Sequence, residues 1–232
     1  MPKFKPQNKR ELKKLIADPA VRLRDIDTTA ITDMSRLFYN SARTDFSGIQ
    51  KWNTENVTDM SELFVNCRHF NAPIGAWNVG KVQTMKKMFY GCYDFNQKIE
   101  NWNVENVRDM QAMFCHAFFF NRPLNNWNVK NVINMKLMFS ATIIFNQPLD
   151  LWNVSRVENM SKMFYNAFNF NQNLNSWNIK NLKECERMFA NARCFNQNLD
   201  AWNVENVQNM RKMFQYSPLS KNPPKWFKNE KI

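Results

Sequence analysis

The sequence predicts an α/β solenoid: a right-handed stack of about eight 25-residue strand–helix rungs with a cap at each end. Three observations carry this. Tryptophans stand at 52, 77, 102, 127, 152, 177 and 202, a step of 25 that never slips. An apolar pair keeps the same step, from Leu63-Phe64, Met88-Phe89 and Met113-Phe114 to Met138-Phe139, Met163-Phe164, Met188-Phe189 and Met213-Phe214. Inside each step the apolar spacing passes from alternation to a stride of three or four, the change that separates a strand from a helix. Self-similarity at a fixed period of this size is the signature of stacked repeats, in which no rung can bury its apolar face alone.

The chain opens with a predicted cap over residues 1–22. Asn8-Lys9-Arg10-Glu11 has the spacing of an N-cap followed by its reciprocal acid, and Leu12, Leu15 and Ile16 form one apolar face behind it. The repeat domain is predicted over 23–226. Its first copy is worn: "LRDIDTTAITDMSRLF" (23–38) aligns with "IQKWNTENVTDMSELF" (49–64), with Ile26 in the tryptophan slot and one residue inserted before Trp52. In a regular rung, Leu124-x-x-Trp127-x-Val129 reads as a short half-buried strand. From Val132 the apolar residues Met135, Met138, Phe139 and Thr142 follow at helical spacing. After Trp226 a basic tail, 227–232, closes the chain; the prolines of "SPLSKNPPKWFKNEKI" (217–232) stop further repeats.

The pattern matches the leucine-rich repeat with Trp and Val in two of its strand slots. More closely, "FNQPLDLWNVSRVENMSKMFYNA" (145–167) and its neighbours resemble the BspA-like leucine-rich repeats of bacteria, in the 25-residue variant of mycoplasma surface proteins. The resemblance covers about nine-tenths of the chain, and "ELKKLIADPAVRLRDIDTTAITDMSRLF" (11–38) is similar to the entry cap of such arrays. It implies surface or secreted proteins that bind other proteins, host proteins among them. The residues themselves point elsewhere: Met1 is followed by "PKFKPQNKRELKK", without the apolar run of a signal peptide, so the address expected from sequence is the cytoplasm. No segment has the length of apolar chain that spans a membrane.

Composition narrows the function. The chain has 20 Phe, 8 Trp and 14 Met but only 4 Gly and 2 His. The net charge of +12 sits at the ends: residues 1–25 carry eight Lys/Arg against three acids, and 211–232 carry six against one. A nucleic-acid reader gathers its basic residues on one surface instead, so nucleic acid is not the expected partner. The five cysteines form no CxxC pair and read as buried thiols; Cys67 and Cys92 stand at equivalent positions of neighbouring rungs, which leaves a disulfide between them conceivable. No nucleophile–base pair, phosphate loop or metal motif appears. The expectation is a non-enzymatic module without cofactor or small-molecule substrate.

Three surfaces are candidates for contact. The acids and amides that recur after the valine slot, such as Asp59, Asp109, Asn134 and Glu184, are not among them, since they suit the first turn of the expected helix. The asparagine after each tryptophan (Asn53, Asn78, Asn103, Asn128, Asn153, Asn178 and Asn203) should point outward, and equal spacing predicts a ladder in which each amide bonds the next. Beside that ladder the residues vary, so Asn103, Glu105, Asn128, Lys130, Asn153, Asn178 and Lys180 form a sheet-face candidate for a protein partner. The sharpest candidate lies before the Phe-Asn pair. There "RHF" (68–70) and "RCF" (193–195) are polar, but the middle rungs carry Tyr93, Phe118-Phe119, Ile143-Ile144 and Phe168. Side by side these would make one apolar strip, suited to a partner or to a second copy of the chain.

Overall fold

A computed structural model describes residues 2–228. The 25-residue rungs stack in register, with single parallel bridges running through Asp33, Asp59, Thr84, Asp109, Asn134, Asn159, Glu184 and Asn209. The rungs themselves are not strand–helix units, and the expected α/β class is corrected here. Among the described residues the single α-helix is α1 (Lys9–Ala17), with one turn of 3₁₀-helix at each of Leu23–Asp25, Ile49–Lys51 and Pro218–Ser220.

The rung of Trp127 shows what replaces the helix. The N–H groups of Met135, Leu137, Phe139 and Ala141 donate to the carbonyls of Asn159, Ser161, Met163 and Tyr165 in the next rung, at 2.9, 3.0, 2.9 and 2.7 Å. The residues between them turn inward on their own rung: Met138 donates to Met135, Ser140 to Leu137 and Thr142 to Phe139. The chain is thus a train of overlapping β-turns. Leu137 and Ala141, third residues of the first and last turn, have φ of 61° and 57°, the mark of a type II turn. Their equivalents are left-handed in every rung, from Arg36 and Asn40 to Lys212 and Tyr216, with Gly91 as the one glycine. Each non-glycine there costs about 1–2 kcal/mol, offset in every rung but the last by the bond its N–H makes to the next rung.

The helical reading failed because its signal is shared. A β-turn returns residue i+3 to within about 7 Å of residue i, so apolar residues three apart also suit a train of turns. The strand reading fails differently. Trp127 and Val129 are buried and Asn128 is exposed, as alternation requires, but none of the three N–H groups donates to a neighbouring rung. The indole does so instead. Trp127 Nε1 donates to the Ile99 carbonyl at 3.0 Å, and Trp52, Trp77, Trp152, Trp177, Trp202 and Trp226 make the equivalent bond. Trp102 is the exception; its buried N–H has no partner.

The core is a set of aromatic columns. Phe114, Phe139 and Phe164 stack across rungs at 5.6 and 5.7 Å. Each also lies against the second phenylalanine of its own rung, as Phe139 does against Phe145 at 4.3 Å. Both columns are fully buried. Burying a phenylalanine contributes about 1.5–3 kcal/mol, and this core repeats with every rung.

The two ends differ. At the start, Asn8 caps α1 by accepting from Glu11 N–H, and the Glu11 carboxylate accepts from the Asn8 amide and from Gln7 N–H. Leu12 and Ile16 of α1 are buried over the first rung, and Lys9 Nζ pairs with Asp33 at 3.1 Å. At the other end Trp226 stacks on Trp202 at 6.3 Å. Val204, Val207 and Met210 are only partly buried, unlike their counterparts inside the stack. Of the expected basic tail, Phe227 and Lys228 are described, and 229–232 lie outside the described residues.

Candidate partner-binding face

The candidate strip is built by the loop that leaves the turn train. Asp94 N–H donates to the Arg68 carbonyl, Phe119 to Tyr93, Asn169 to Ile143 and Cys194 to Phe168, at 3.1 to 3.2 Å. These bonds set equivalent residues of successive rungs side by side. One column runs Arg68, Tyr93, Phe118, Ile143, Phe168, Arg193; its neighbour runs His69, Asp94, Phe119, Ile144, Asn169, Cys194. Tyr93 and Phe118 stack at 4.5 Å. Tyr93, Phe118, Ile143, Ile144 and Phe168 are half-buried, and Phe119 is 55% exposed. The structure therefore brings all six strip residues onto one face.

By sequence alone the arginines before His69 and Cys194 are ordinary loop polarity. The structure gives them a place: the Arg68 guanidinium lies 5.4 Å from the Tyr93 ring centroid, and Arg193 lies 4.4 Å from that of Phe168. A cation over an aromatic face is attracted to the ring quadrupole. His116 joins the same surface, packing edge-on against Phe118 and Tyr90 at 5.8 and 5.7 Å; burial holds its pKa below the usual imidazole value. The register shared by Arg68, Tyr93, Phe168 and Arg193 is the signal that would have found these ends.

The sheet-face candidates fall on another surface, with a correction. Asn103, Asn128, Asn153 and Asn178 are exposed, but they form no ladder. Each side-chain oxygen accepts from the backbone two residues on: Glu105, Lys130, Ser155 and Lys180 N–H, at 3.1 to 3.4 Å. A short amide closes such a turn on itself more readily than it reaches across a rung. The ladder exists one loop away. Asn96 N–H donates to Asn71 Oδ1, and the pattern continues through Asn121, Asn146, Asn171 and Asn196 at 2.9 to 3.1 Å. Lys130 pairs with Glu105 at 2.6 Å, both half exposed, so the surface satisfies itself. Asp59, Asp109 and Asn134 do accept backbone N–H groups, but of a β-turn, not a helix.

The thiols offer little chemistry. Cys67, Cys92, Cys115 and Cys185 are free and buried, so the conceivable Cys67–Cys92 disulfide is not formed. Desolvation pushes Cys67 and Cys185 up to about 12 and Cys115 to about 11. No described helix is long and apolar enough to cross a membrane.

Interior and face together define a protein of stacked repeats whose individuality lies on its outside. The chain belongs to the family described as "Mycoplasma protein of unknown function, DUF285", which matches residues 12–127 and again 117–226. No curated protein and no solved structure matches it.

Proposed function

We propose that the chain is a non-enzymatic protein-interaction module that docks a protein partner on the strip of Tyr93, Phe118, Phe119, Ile143, Ile144 and Phe168. One observation carries this reading. Elsewhere the rungs bury most of their large apolar side chains and expose single ones such as Leu151 and Tyr216, but at this position consecutive rungs leave them half-buried or exposed in a continuous line. Contiguous exposed apolar surface marks contact sites, and the departure from repetition supplies the variation that recognition needs. The resemblance to BspA-like repeat proteins supports the same class of function, with adhesion or host contact as its setting.

The test is site-specific photo-crosslinking in the native host. A benzophenone amino acid at Phe119 or Ile144 should give a discrete adduct with another protein, and one at Lys180 should not. Adducts of equal yield at all three positions, or none at the strip, would overturn the proposal. An adduct of twice the chain mass would instead assign the strip to self-association.

A further inference from the structure

We infer that the strip takes an extended protein segment carrying an acidic side chain at each end of a short apolar stretch. This rests on the reading of the strip as a docking face and adds the chemistry of what docks.

The argument starts from the two ends of the column. Arg68 and Arg193 are exposed, and each sets its guanidinium carbon over the last ring of the line, 5.4 and 4.4 Å from the centroid. Neither forms an ion pair within 4.0 Å among the described residues. An exposed guanidinium over a ring and outside any ion pair keeps N–H groups available, and that planar fork fits a carboxylate.

The surrounding surface does not supply that carboxylate. In the two strip columns the one acid is Asp94, already held by His69 at 2.8 Å; on the preceding rung Asp45, which precedes Phe46 as His69 precedes Phe70, accepts from Ser47 N–H. The adjoining line of Asn66, Gly91, His116, Ala141, Asn166 and Asn191 contains none. The face is therefore apolar in the middle and cationic at both ends.

Its dimensions select an extended occupant. From Arg68 to Arg193 is five rung steps, and at about 4.8 Å per step the line is about 24 Å long. An extended chain rising about 3.3 Å per residue covers that in seven or eight residues and turns about four side chains to one face. Four side chains separate the arginines: Tyr93, Phe118, Ile143 and Phe168. A helix is about 10–12 Å across, wider than two adjacent residues per rung. A second copy of the chain fits poorly, because laying strip on strip in either direction sets arginine against arginine.

The experiment uses the full chain and fluorescence anisotropy. The probe is a labelled nonapeptide with glutamate at both ends, Ile, Phe and Ile at its central alternate positions, and serine between. It should bind at least about tenfold tighter than the same peptide ended by lysine, and weaken as salt rises from about 50 to about 500 mM. Arg68→Glu and Arg193→Glu, both at exposed positions, should each remove about tenfold while leaving the melting temperature in place. Equal binding of both peptides, lost in a Phe119→Asp, Ile144→Asp variant but untouched by the arginine changes, would overturn the acidic ends and leave the docking face standing. Tighter binding of a labelled oligothymidylate through the same arginines would also overturn the inference. So would no binding of either peptide to a chain that gives photo-adducts at Phe119.

Discussion

Phe119 and Phe120 are consecutive residues with opposite fates: Phe119 is 55% exposed on the strip, and Phe120 is fully buried between Phe95 and Phe145. The pair separates core from surface within one peptide bond. Phe120→Ala should cost about 3–5 kcal/mol by leaving a gap in the aromatic column. Phe119→Ala should stay within about 0.5 kcal/mol, as surface substitutions do. Urea unfolding of both variants checks this, and similar losses would mean that the strip belongs to the core.

Left-handed positions give a second prediction, which separates a turn train from a helix. Lys162 has φ of 57°, where glycine pays no steric penalty. Lys162→Gly should therefore hold or raise stability, by up to about 1 kcal/mol. In a helix the same change would cost about 1 kcal/mol. Lys162→Val should be destabilising, because a β-branched residue tolerates positive φ poorly. Loss of stability in the glycine variant would contradict the turn geometry.

What was legible in the sequence follows from which signals are unique. The spacing of Trp52 to Trp202 has one explanation, and it locates seven rungs; the rung before them is the worn copy with Ile26 in that slot. The stride of Val132, Met135 and Met138 has two, and the helix was the wrong one. The first left-handed site carries no flag, since Lys87, Ala112, Leu137 and Lys162 occupy it, whereas the second holds Asn40, Asn66, Gly91, Asn166 and Asn191, the types that enter that region most readily. Asn121 and Asn128 are the same residue type on neighbouring loops, yet Asn121 bonds the next rung and Asn128 its own turn. Backbone direction decides that, and residue type does not encode it. The strip stood out because it breaks a strict pattern, but its arginine ends matched the expected loop polarity and so passed unnoticed.

Cysteine chemistry gives a third prediction. Cys67 donates to the Phe38 carbonyl at 2.9 Å in a buried site, and desolvation lifts its pKa to about 12. Raising a thiol pKa lowers the thiolate fraction, and the thiolate is the reacting species. At about pH 8 the native chain should take up one equivalent of iodoacetamide, at the exposed Cys194, and five after denaturation. Mass spectrometry of the alkylated peptides checks both counts. Fast labelling of Cys67 in the native protein would show that the rungs open locally.

The last prediction concerns the polarity of the stack. Along the turn train alternate N–H groups point to the following rung, so the last rung of the described residues has donors without an acceptor among them. Among the described residues the N–H groups of Met210, Lys212, Phe214 and Tyr216 donate to no acceptor, whereas the carbonyls of Asn209, Arg211, Met213 and Gln215 accept from the rung before. This edge offers mainly donors, with one acceptor at the Gln208 carbonyl, whose equivalents Lys183, Glu158 and Ile133 each accept from the following rung. Val204, Val207 and Met210 beside it are only partly buried, so this end should be the least protected part of the array. Amide exchange measured by NMR should be about a hundredfold or more faster at Met210, Lys212, Phe214 and Tyr216 than at Met135, Leu137, Phe139 and Ala141. Equal protection would mean that the edge is covered in solution by a segment presenting carbonyl groups to it, and the stack would then not end where its hydrogen bonds do.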